Sequence, residues 1–282
     1  MEELLQRLQT TSGYPRLSSQ AGEIDPSGDR RMADRKTNGF GVRGAADSQL
    51  QRSSADSPRS CDFAPPSFGA PAVQDLQEVF AEALMHGQSE DCLRVVDRLI
   101  SSGFAMASAV DLVVTPAMHS LGKRWESGDL AIYQERRACG IVKDLIRRLK
   151  ERLSVVPNGP VAIGGAPAGD LYELPTALVE LALCERGWQA LSLGCNLPVK
   201  EFLAAVAEYR PRLLWFSLSY VRDEENLVAD FNQLAAAIPK QTAILIGGRA
   251  ATDALRPRLR YTSHCDSLRN LAGLADTLMA TA

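Results

Sequence analysis

Four short apolar runs, Val161-Ala162-Ile163, Gln189 to Leu193, Leu213 to Leu218 and Ala243 to Ile246, alternate with helix-patterned stretches from residue 160 to the C-terminus. This alternation leaves few folds open, because parallel strands need long crossovers and right-handed crossovers place helices on both faces of one sheet. The helical stretches read as Thr176 to Arg186, stopped by Gly187, then Lys200 to Tyr209, Asn226 to Ile238 and Leu268 to Met279. The expected fold class is α/β, with a parallel Rossmann-like (flavodoxin-like) sheet over 160–282. Such sheets bind ligands at the carboxyl ends of their strands. The glycine-rich stretch Gly164 to Pro175 is the first loop at that edge.

Upstream, residues 72–156 carry apolar residues at three- and four-residue spacing, the mark of amphipathic helices. Val73, Leu76, Val79, Phe80, Ala83 and Leu84 define a first helix that ends at His86-Gly87. Ser89 reads as the N-cap of a second, with Glu90 and Asp91 in its first turn. A third is expected from Met106 to Trp125, bent or broken at Pro116, and a fourth from Leu130 to about Leu153. Short connections make these antiparallel neighbours, hence a four-helix bundle. Pro157-Asn158-Gly159-Pro160 reads as a linker. Residues 1–71 are rich in Ser, Gly, Asp, Arg, Gln and Pro, and read as a disordered tail. Within the tail, Leu4, Leu5 and Leu8 would share one face of a short helix over Glu2 to Leu8, a candidate partner-docking motif, and Met32 offers an alternative start.

Composition excludes several classes. No apolar run approaches the roughly 18 residues of a membrane span, and the start lacks a leader pattern, so the expected location is cytoplasmic. The net charge of -3 gives no footprint for direct DNA binding. Six cysteines without a CxxC pair signal neither zinc nor a disulfide framework. No P-loop, G-x-S-x-G or G-x-G-x-x-G is present, and no catalytic residues or metal ligands are assigned.

A helical bundle followed by a Rossmann-like domain resembles the cobalamin-binding module of corrinoid proteins, over about residues 72–282. In that family a D-x-H-x-x-G loop follows the first strand, and its histidine binds cobalt from below. Asp170-Leu171-Tyr172-Glu173-Leu174-Pro175 stands there, keeping the Asp and replacing His and Gly. Ser217-Leu218-Ser219 and Gly247-Gly248 stand at the family's S-x-L and G-G signatures, which line the slot for the cofactor's nucleotide tail. Gly194-Cys195-Asn196-Leu197-Pro198 is similar to its L-G-x-x-x-P segment. The bundle resembles that of light-sensing cobalamin repressors and photosynthesis regulators, whose W-x(9)-E-H motif covers the upper face of the corrin. Trp125 and Glu135 keep that spacing, and Arg136 takes the place of the histidine.

Neutral phenol is a poor cobalt ligand, and phenolate is costly at an unperturbed pKa of about 10. The resemblance therefore leaves three readings of the ligand open: cobalamin that keeps its own base on cobalt, with Tyr172 as a wall; haem, for which tyrosinate is a known axial ligand; or an empty scaffold. His86 and His264 read as surface residues, and His119 as a candidate upper-face ligand. The implied function is that of a non-enzymatic regulator, resembling the photosynthesis antirepressors of the AerR and PpaA type. It would respond to a tetrapyrrole, light or oxygen and act on a partner transcription factor of the repressor type, with self-association left open. The alternatives are a corrinoid carrier subunit of a methyltransferase and a ligand-free interaction module.

Overall fold

The protein is described by a computed structural model that covers residues 70–154 and 158–280. The expected tail, its short helix and Met32 lie outside the described residues. Four helices come first: α1 (Ala70–His86), α2 (Ser89–Ser101), α3 (Met106–Glu126) and α4 (Ile132–Lys150). Ser89 is already inside α2, whose N-cap is Gln88 without a side-chain cap bond. Its hydroxyl therefore does not perform the capping expected of it. Pro116 does not break α3. Proline removes the N–H that would bond the carbonyl four residues back, and that carbonyl, Leu112 O, accepts from Gln77 Nε2 of α1 at 2.8 Å. The neighbouring helix supplies the missing donor.

The chain then alternates through β1 (Val161–Gly165), α5 (Leu174–Glu185), β2 (Gln189–Ser192), α6 (Val199–Tyr209), β3 (Leu213–Ser217), α7 (Glu224–Ala237), β4 (Ala243–Gly247), β5 (Ser263–Cys265) and α8 (Leu268–Ala280). All neighbouring strands pair in parallel, in the order β2-β1-β3-β4-β5. The fifth strand was not expected. It is three residues long, carries Ser263 and His264, and only pairing with β4 makes it a strand. His264 thus belongs to an edge strand rather than to a loop.

Side chains alternate across β3, so Leu213 and Trp215 serve one face, and Leu214 and Phe216 the other. On the second face Phe216 packs between Phe202 of α6 and Phe231 of α7, with ring centroids 4.7 and 4.9 Å away. The first face is covered by α5 and α8, and its core continues into that of the bundle through Leu178, Leu181, Leu271 and Ala275. Bundle and sheet form one compact unit. Three carboxylates of α5 and its N-cap join it polarly to the bundle. Glu173 meets Lys143 at 2.6 Å and Glu180 meets Lys150 at 2.8 Å. Glu185 accepts the first backbone N–H groups of α3, from Met106 at 2.5 Å and Ala107 at 2.9 Å. A carboxylate at a helix N-terminus satisfies orphan donors and complements the dipole.

Candidate functional site

These contacts fix the position of the bundle over the sheet edge. Lys143 and Lys150 meet Glu173 and Glu180, partners at equal spacing, so α4 runs alongside α5 in the same direction. Lys143 lies level with the start of α5, and the part of α4 before it extends roughly 16 Å beyond that start at 1.5 Å per residue. The preceding helix runs the other way, with its start at Glu185, so Trp125 lies at the same overhanging end. The space between this overhang and the strand loops is taken as the candidate cleft. Exposed apolar side chains stand on both elements that bound it: Ile132 and Tyr133 on α4, Leu171 and Tyr172 on the loop after β1.

The structure arranges the residues singled out from sequence in two groups. On the bundle, Trp125 is half-buried against the core. Glu135, Cys139 and Lys143 form one row along α4, since residues four apart share a face. The Cys139 thiol donates to Glu135 at 3.1 Å, and the row ends on Glu173. Arg136 is exposed beside it. On the sheet edge, Asp170 is fully buried. Its Oδ1 accepts from Tyr172 N at 3.0 Å, and its Oδ2 from Ser219 N at 2.6 Å and Tyr220 N at 3.1 Å. Its backbone carbonyl takes Asn196 N at 2.9 Å, and Asn196 Oδ1 accepts from Gly169 N at 2.8 Å. Asp170 thus ties together the loops after β1, β2 and β3. Asn196 holds a φ of 59°, which asparagine tolerates better than most residues.

Ser217, Leu218 and Ser219 are all buried. At Gly247 a Cβ would lie 2.8 Å from Cys265 O, and at Gly248, with φ at 100°, it would collide with Leu218 O. Both glycines are therefore required by the protein's own backbone, which is a different reason from close passage of a ligand. Tyr172 is about half exposed, and the guanidinium of Arg249 lies 4.9 Å from its ring centroid. Arg249 Nε donates to Ser219 O at 2.9 Å. The sequence reading passed over Arg249, although it directly follows Gly247-Gly248. It gave no role to Lys143, or to Glu173, which occupies a variable position of the loop after β1.

The donor set bears on which lower-face ligation this edge can offer. Tyr172 supplies a phenol whose ring is engaged by Arg249, and His86, His119 and His264 lie on α1, α3 and β5 rather than on the loop after β1. No group of three or more His, Cys, Asp or Glu poised to hold a metal occurs among the described residues. The loop after β1 thus offers a phenol and no imidazole to a ligand at this edge. That set does not fit a corrinoid held through cobalt by this loop.

The thiols near the cleft are held protonated. Burial, then the hydrogen bond to Glu135, pushes Cys139 up to about 12. Burial raises Cys195 also, helped by the carboxylates of Glu173 and Asp170. The folded state of Cys139 keeps its proton longer than the unfolded chain does. The stability this confers is complete below pH 9 and is lost as pH climbs towards about 12. Thiolate is the nucleophile, so iodoacetamide at pH 8 should leave Cys139 unmodified in the native chain, as read by peptide mass. Rapid labelling there at pH 8 would refute a half-buried, Glu135-bonded thiol.

Comparison with known proteins gives a consistent result. Residues 76–150 match the family model "B12 binding domain". The chain is 29% identical over 192 residues to the HTH-type transcriptional repressor CarH of Myxococcus xanthus, covering 65% of this chain and 63% of that one. It is 25% identical over 191 residues to the HTH-type transcriptional repressor CarA of the same organism, covering 66% and 62%. It therefore spans less than two thirds of the length of either repressor. The dimethylamine corrinoid protein of Methanosarcina barkeri is 17% identical over 213 residues, covering 73% of this chain and 99% of that one. Among solved structures, the monomethylamine corrinoid protein of Methanosarcina barkeri superposes with a TM-score of 0.59 at 14% identity, covering 73% of this chain and 99% of that one. No helix among the described residues is long and apolar enough to cross a membrane. The chain thus has the fold of a corrinoid protein across bundle and sheet, and its bundle matches the B12 binding domain family.

Proposed function

We propose that this chain is a cobalamin-linked regulatory protein that binds its cofactor in the cleft under the bundle overhang and signals to a partner transcription factor. The observation that carries this reading is the overhang itself. The Trp125 end of α3 and the Glu135 row of α4 extend past the start of α5, on a bundle that matches the B12 binding domain. When bound, cobalamin would supply light- and redox-sensitive cobalt chemistry. Trp125, Glu135 and Arg136 would cover it from the bundle, and Tyr172 and the loop after β1 would wall it below. Ser217 to Ser219 and Gly247-Gly248 would border the tail. Similarity to CarA and CarH favours regulation over catalysis. The lack of an imidazole at Tyr172 favours a cofactor that retains its own base. In this reading the protein acts as an antirepressor of photosynthesis or pigment genes, through a protein partner rather than through DNA.

A second reading, a corrinoid carrier for methyl transfer, draws on the near-complete coverage of the dimethylamine corrinoid protein. Haem is the alternative tetrapyrrole, with Tyr172 as its ligand. One experiment separates these readings: absorption spectra after incubation with hydroxo-, methyl- and adenosylcobalamin and with haem, in dark and light. The expected result is about one cobalamin per chain with a base-on spectrum that is unchanged in Tyr172→Phe. A base-off spectrum, or haem bound in place of cobalamin with a Tyr172-dependent spectrum, would overturn it. Methylation of bound cobalt by a donor enzyme would favour the carrier.

A further inference from the structure

Arg249 and Tyr172 come from the loops after β4 and β1, and they meet across the loop after β3 that lies between them. Two contacts immobilise the arginine. Its Nε donates to Ser219 O at 2.9 Å, and its guanidinium lies over the Tyr172 ring at 4.9 Å. An exposed arginine ordinarily keeps its rotamer freedom, and fixing it costs entropy. Here the plane of the fork is set, and no carboxylate pairs with it among the described residues. The acids of this edge are occupied elsewhere. Asp170 accepts three backbone N–H groups, and Glu173 is paired with Lys143. The cleft mouth therefore presents an oriented cation without an anion.

We propose that Arg249, stacked on Tyr172 and anchored to Ser219, is an oxyanion subsite of the ligand cleft. It takes the acidic group carried by the tetrapyrrole ligand. The guanidinium fork matches phosphate and carboxylate geometry through paired N–H donors, which a lysine cannot reproduce. In cobalamin that group is the phosphodiester of the nucleotide tail, and in haem it is a propionate. The inference rests on the cleft being a tetrapyrrole site, and it assigns the polar contact that orients the ligand there.

The test uses the full chain, with cobalamin compared against cobinamide, which keeps the corrin but lacks the phosphodiester and the base. Arg249→Ala should weaken cobalamin binding by about tenfold to a hundredfold, the size of a lost charge-assisted hydrogen bond. Cobinamide binding should stay within about twofold, since it has no group for Arg249 to hold. Arg249→Lys should restore part of the loss. Haem against its dimethyl ester gives the propionate arm, in which only haem should weaken. Equal weakening of cobalamin and cobinamide would make Arg249 a mere brace for the loops and overturn the inference. So would an Arg249→Ala protein that binds every ligand like the parent. Failure of the parent chain to bind any of the four ligands would overturn the cleft as a tetrapyrrole site and this inference with it.

Discussion

Asp170→Ala should lower the thermal midpoint by about 6–12 °C, equivalent to about 3 kcal/mol, and should abolish cobalamin binding at micromolar concentrations. The carboxylate is fully buried, and the backbone N–H groups of Tyr172, Ser219 and Tyr220 all donate to it. Removing it leaves these donors without their acceptor. A buried unsatisfied donor costs about 1–3 kcal/mol, which is more than the net gain of making the bond. Asp170→Asn should recover little, because its amide would turn a donor towards some of the same N–H groups. The loops after β1, β2 and β3 would lose their common anchor, so binding should fall even where the sheet stays folded. Thermal unfolding followed by circular dichroism, with cobalamin titration on the same samples, checks both effects. An Asp170→Ala protein with an unchanged midpoint would show that the loops hold their positions through other contacts.

The second large effect is expected at Gly164→Ala, with a loss of about 2–3 kcal/mol and a midpoint lowered by about 4–12 °C. A Cβ on Gly164 would collide with the Trp215 indole and with the Trp215 carbonyl oxygen. The indole cannot easily move aside, because it is buried and its Nε1 donates to Thr176 Oγ1 at 2.9 Å. Thr176 Oγ1 in turn lies 3.2 Å from Ser192 Oγ on β2. Overpacking would thus propagate from β1 through β3 to the start of α5, below the loop that Asp170 anchors. Gly140→Ala is the control: it lies mid-helix in α4 with nothing within 4 Å of the added Cβ. That change should raise stability by about 0.5–1 kcal/mol through helix propensity. Equal effects of the two substitutions would mean that the Trp215 contact does not constrain the strand.

Much of the candidate site could be read from the chain by order and spacing. Asp170 follows β1, Ser217 to Ser219 and Gly247-Gly248 span the ends of β3 and β4 at the carboxyl edge, and Trp125 and Glu135 fall at the overhanging end of the bundle. Their roles were less legible. The glycines stand at signatures that line a ligand slot, and the structure adds a second constraint on them, since a Cβ at Gly247 or Gly248 would meet Cys265 O or Leu218 O. Asp170 looked like part of a cobalt-binding motif, and it is the tie between three loops. Arg249 is one residue beyond a recognised signature, and only its meeting with Tyr172 gives it significance.

The sequence by itself determined the helical bundle, the order of strands and helices after it, and the edge of the sheet where a ligand would lie. These follow from hydrophobic period and from glycine and proline punctuation, which are properties of neighbouring residues. Only the tertiary structure decided the fifth strand, the unbroken helix through Pro116, and the network of Asp170, Tyr172, Ser219 and Arg249. Each depends on partners distant in sequence: Cys265 on Gly247, Leu112 on Gln77, Asp170 on Ser219. Such hydrogen bonds and close approaches carry no local periodicity. They exist only once burial has brought the loops together, where an unpaired polar group would be costly.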